Sequence, residues 1–70
     1  MSSNNSISYD MALGFYRDLL GVTHTSGSSG IMPTRMIAEY LGISDDKAEA
    51  YLWACARYGI TERQGGAWVV

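Results

Sequence analysis

The chain is predicted to fold as a mainly α-helical domain closed by a small β-hairpin, and three stretches of sequence predict it. Thr34 to Arg63 reads as a short amphipathic helix, a turn at Gly42-Ile43, a second helix opened by Ser44, and an exit at Gly59. Upstream, Ser8 to Gly21 carries apolar residues at helical spacing. Downstream, Gly65-Gly66 separates two β-prone runs, which is a hairpin signal. With a short extended segment before Pro33, the order becomes helix, strand, helix, helix, hairpin. That is the order of a winged helix-turn-helix, three helices plus a C-terminal wing, in a single domain spanning residues 8–70.

Residues 1–7 offer nothing to pack and are expected to form a disordered tail, with Met1 to Ser6 frayed. Helix 1 is placed at 8–21. Projected at 100° per residue, Tyr9, Ala12, Leu13, Tyr16, Leu19 and Leu20 share one side, and Asp10, Gly14, Arg17 and Asp18 the other. Phe15 lies at the margin of the stripe and Met11 outside it, which either widens the buried arc or leaves an apolar patch for a partner. Gly21 is expected to end the helix, and VTHTSGSSG, residues 22–30, to form a flexible loop.

Gly30 to Met32 can supply a very short strand, because the residue before a proline is driven to extended geometry. Helix 2 is placed at 33–41, with Ile37, Ala38 and Leu41 inward and Arg35 and Glu39 paired on the outside. Helix 3 is placed at 45–58. Ser44 can cap it, Asp45 and Asp46 suit the positive end of its dipole, and Gly59 can end it in a left-handed conformation. Its inward arc is Ala48, Leu52, Cys55 and Ala56, with Tyr51 beside them. Its outward arc is Asp46, Glu49, Ala50, Trp53, Ala54 and Arg57, with Lys47 on the flank. The hairpin is placed at 60–70, with Ile60, Trp68 and Val70 turned towards helix 3. A lone hairpin does not hold in water, so it must pack on the helices.

Composition narrows the function. Seventy residues make one small domain, able to bury only about 60% of its unfolded surface, so a dimer or a bound partner is plausible. The net charge of −2, with only five basic residues, is not the basic excess usual among nucleic-acid binders. A single cysteine, Cys55, excludes an intramolecular disulfide and reads as a buried structural thiol. The sequence shows neither an export leader nor a membrane-spanning run, and a cytoplasmic location fits.

Catalysis is not expected, and neither are a cofactor, a metal or a small-molecule substrate. A nucleophile, a base and an orienting group must converge, whereas here the one histidine, His24, falls in the loop and the one cysteine at a core position. Helix capping accounts for Ser44, Asp45 and Asp46, which lack the spacing of a calcium loop.

In Thr34, Ile37-Ala38-Glu39, Leu41, Ile43, Ser44-Asp45, Ala48, Tyr51-Leu52, Gly59 and Arg63 the sequence resembles the small winged-helix regulators of pilus (fimbrial) transcription, the FaeA/PapI-like proteins. The resemblance covers the helix-turn-helix region without a gap. It implies a bacterial DNA-binding transcription factor that works beside a larger regulator. The chain departs from that family at Asp46, Glu49 and Ala50, where such regulators tend to carry basic or polar-aromatic residues, and its hairpin offers only Arg63 as a cation.

Two functions are therefore expected to compete. As a bacterial or phage accessory transcription regulator, the chain would bind double-stranded DNA with helix 3 in the major groove. Lys47, Ala50, Trp53 and Arg57 would lie near bases or backbone, Thr34 and Arg35 on phosphates, and Arg63 with Gln64 along the sugar-phosphate rail. As a protein-interaction module, adaptor or inhibitor, it would dock Asp46, Glu49 and Trp53 on a basic protein surface or pair with itself. Trp53 is then an exposed anchor; alternatively it folds back over helix 2 or the hairpin as core.

Overall fold

The computed structural model describes residues 7–26 and 30–70. Its elements follow in the order α1 (Tyr9–Ser26), β1 (Ile31–Pro33), α2 (Thr34–Leu41), α3 (Asp45–Arg57), β2 (Glu62–Gln64) and β3 (Ala67–Val69). The domain is mainly helical with a small antiparallel sheet, in an arrangement compatible with a winged helix.

Local chemistry sets the helix ends. Ser8 Oγ accepts the Met11 amide at 3.2 Å, and Ser44 Oγ accepts the Lys47 amide at 3.1 Å, so each serine satisfies an orphan donor of the first turn. Between α2 and α3, Gly42 adopts φ +68° and the Ile43 amide donates back to the Ala38 carbonyl at 3.0 Å, which turns the chain within two residues.

The sheet has the order β1-β3-β2, both pairings antiparallel. Met32 and Arg63 both lie opposite Trp68 on the central strand. Gly65 and Gly66, at φ +53° and +86°, make the two-residue hairpin connection that needs positive φ at both positions. The early strand thus joins the terminal hairpin across the whole length of the helix pair, and β2, exposed throughout, forms the other edge.

Two clusters make the core. Leu19, Met32, Ile37, Ala38, Ala48, Leu52 and Trp68 form the larger, sealing the inner sides of all three helices against the sheet. Ile7, Ala12, Ala54 and Cys55 form the smaller, between the start of α1 and the end of α3. Phe15 and Tyr16 pack against both, and Phe15 stacks on Tyr51 with ring centroids 5.1 Å apart. Cys55 is fully buried, and its thiol donates to the Ala12 carbonyl at 3.3 Å. Burial pushes that thiol from 9.0 up to about 11. At pH 8 its reaction with a soluble disulfide reagent is therefore expected to run about a hundredfold below that of the unfolded chain. Equal rates with and without denaturant would contradict this burial.

Several sequence expectations need correction. Helix 1 does not stop at Gly21: α1 continues to Ser26, so Val22 to Ser26 are helical and His24 lies exposed in the last turn, not in a loop. Thr23 in this added stretch is buried, and its hydroxyl donates to the Leu19 and Leu20 carbonyls at 3.0 and 3.2 Å. Tertiary burial there outweighs the roughly 1 kcal/mol that a glycine costs a helix. The remainder of the expected loop, residues 27–29, and the tail Met1 to Ser6 lie outside the described residues.

Ile7, placed in the tail by the sequence, is buried, and its carbonyl accepts the Tyr58 hydroxyl at 3.1 Å. The inward stripe of α1 is rotated towards Phe15, leaving Tyr9 and Leu20 at the surface. Helix 2 starts at Thr34 with Pro33 as the residue before it, α3 ends at Arg57, and Gln64 is the last residue of β2. Ala54, expected outward, is 3% exposed because the smaller cluster takes a second side of α3.

Gly14 sits exposed in the middle of α1, where an added methyl group would meet nothing within 4 Å. Gly14→Ala is expected to stabilise the fold by about 0.5–1 kcal/mol, seen as a higher thermal midpoint. A lower midpoint would mean that this turn is tighter than described.

Candidate functional site

The outer face of α3 meets the hairpin at Trp53. Its indole is 46% exposed and packs edge-on against the fully buried Trp68, with centroids 5.1 Å apart and planes at 87°. Both Trp53 readings are thus partly realised: one edge leans on the hairpin, and the rest faces solvent. One turn earlier, Glu49 Oε2 accepts the Trp53 Nε1–H at 3.4 Å. Asp46, Glu49, Ala50 and Trp53 line an open hollow of about 440 Å³.

Arg63 reaches this face from β2. Its guanidinium carbon lies 4.8 Å from the Trp53 ring centroid and 5.2 Å from that of Trp68. The negative faces of the indoles hold the cation there, at about 0.5–1 kcal/mol for an exposed pair. Arg63 therefore rests over the indoles beside helix 3, and Gln64 is exposed next to it at the end of β2. Arg57 is exposed one turn beyond Trp53.

Other candidates separate from this group. Thr34 also serves the fold: its Oγ1 accepts the Trp68 Nε1–H at 2.8 Å, tying the start of α2 to the central strand, while its own O–H can still donate. Ala50 is half-buried against the smaller cluster and lines the hollow between Asp46, Glu49 and Trp53. Lys47 lies with Phe15, Asp18, Leu41, Ile43 and Tyr51 around a second hollow of about 240 Å³, on another side of α3. Arg35 pairs with Glu39 at 3.9 Å, both strongly exposed, a contact worth a few tenths of a kcal/mol.

No family model, curated protein or solved structure matches the chain.

The face as built is mixed in sign. Asp46 and Glu49 occupy the first two turns of α3, while Arg57 and Arg63 stand at its far end. Sequence reasoning missed that Trp68 is the hub, holding Thr34, Trp53 and Arg63 at once. The cross-strand position of Arg63 relative to Trp68 was the one available signal, and it depends on the hairpin register. Among the described residues, no group of three or more His, Cys, Asp or Glu side chains could hold a metal ion, and no helix is long and apolar enough to cross a membrane.

Proposed function

We propose that the chain is a small DNA-binding protein, an accessory transcription regulator of bacterial or phage type, that presents α3 to the major groove with the β2–β3 hairpin as its wing. One observation carries this reading. Both core clusters form mainly on other sides of α3, leaving Arg57 and nearly half of the Trp53 surface exposed on the outer face next to Arg63 of the hairpin. A helix so freed on one side, with an edge strand alongside, has the form that fits a groove about 12 Å wide. The resemblance to the FaeA/PapI-like regulators supports the same assignment. Arg57 and Arg63 would lie nearest the phosphates, and Trp53 would supply apolar contact to base edges.

The test is titration of a labelled duplex at rising salt. With so few cations, affinity should fall with a slope of roughly −2 to −3 in log–log form. Affinity no better than millimolar at low salt would end this reading.

A second reading is favoured by the half-exposed Trp53 rimmed by Asp46 and Glu49: docking on a basic protein surface, where tryptophan is enriched among the residues that carry binding energy. Trp53→Ala would then abolish recovery of that partner while the fold persists, and intact recovery would exclude it.

A further inference from the structure

We propose that the chain pairs with a second copy of itself through α1, the two helices running antiparallel about a two-fold axis midway between Leu13 and Tyr16. This stands apart from the DNA-binding reading and is tested without nucleic acid. Tyr9, Leu13, Tyr16 and Leu20 follow one another at alternating spacings of four and three residues, the pattern of a helix-pairing seam. The monomer covers this seam only in part: Tyr9, edge-on to Tyr58, and Leu20 are 49% and 41% exposed, and Leu13 and Tyr16 are half-buried, Tyr16 with one side against the core.

Charge identifies the occupant. Asp10 and Arg17, both exposed, lie on the same flank of the seam two turns apart. A two-fold axis between Leu13 and Tyr16 sets Tyr9 opposite Leu20 of the second copy and Leu13 opposite its Tyr16. It also brings each Asp10 beside the other copy's Arg17, so every unlike charge on the flank is matched, and an aromatic ring meets an aliphatic side chain in each layer. A parallel pairing offers neither match. Such an interface is isologous, as closed two-fold dimers require.

The experiment is sedimentation equilibrium of the full chain over a range of about 1 µM to 1 mM. Wild type is expected to dimerise within it. Asp10→Arg alone and Arg17→Asp alone each turn attraction into repulsion and should weaken the dimer about tenfold. The double variant Asp10→Arg, Arg17→Asp should recover wild-type affinity, and Leu20→Glu should weaken pairing by roughly a hundredfold. All three positions are exposed, so far-UV circular dichroism should confirm folding of each variant. A wild type that stays monomeric throughout overturns the proposal. So do single variants that dimerise like wild type, or a double variant no tighter than the singles.

Discussion

Trp68→Ala is expected to remove about 3–5 kcal/mol of stability, the largest loss of any single substitution in this fold. Trp68 is fully buried on the central strand, at the heart of the larger cluster. Its truncation loses that burial and leaves a residual cavity. A domain of this size holds only on the order of 3–10 kcal/mol in total. The loss is not confined to volume. The indole N–H satisfies Thr34 at the start of α2, and the ring supports both Trp53 and Arg63. Trp68→Phe separates the two contributions: it keeps most of the apolar contact but leaves the Thr34 hydroxyl without its donor, at about 1–2 kcal/mol. Urea titration followed by far-UV circular dichroism measures both. If Trp68→Ala costs under about 1 kcal/mol, the hub described for the hairpin does not exist.

Neutralising the acidic end of α3, with Asp46→Asn and Glu49→Gln together, is expected to raise affinity for an arbitrary duplex about tenfold at low salt. Both carboxylates are exposed on the face that would approach the phosphates, and each opposes the field that Arg57 and Arg63 provide. Glutamine can still accept the Trp53 N–H through its amide oxygen, so the indole should keep its place. Arg57→Ala should act in the opposite direction, lowering affinity about tenfold and reducing the salt slope by about one. The protein-docking reading predicts the reverse sign for the acids: removing them weakens attraction to a basic partner. The direction of change in Asp46→Asn, Glu49→Gln therefore separates the two functions, and an unchanged duplex affinity would place DNA away from this face.

Legibility followed the range of the interactions involved. The cap at Ser44, the turn at Gly42 and the paired glycines of the hairpin were readable because each depends on residues within a turn of itself. The inward arc Ala48, Leu52 and Cys55 was readable because helical period alone sets it. Errors arose where a distant element intervened. α1 runs past a glycine that local propensity takes as its end, with Thr23 buried beyond it. Ile7 and Ala54 are buried in one cluster that joins the two ends of the helical region, and no local window of sequence contains both.

The candidate site divides in the same way. Sequence by itself determined which side chains share the outer arc of α3, since Asp46, Glu49, Trp53 and Arg57 recur at a spacing that any α-helix turns to one side. Only the tertiary structure decided that Arg63 lies over the indole of Trp53 and that Thr34 accepts a hydrogen bond from Trp68. Lys47 likewise falls beside a different hollow. These outcomes rest on strand register and on how α1 and the hairpin close around the helix pair. Contacts between residues far apart in the chain are set by packing the whole core at once, and no local pattern encodes them.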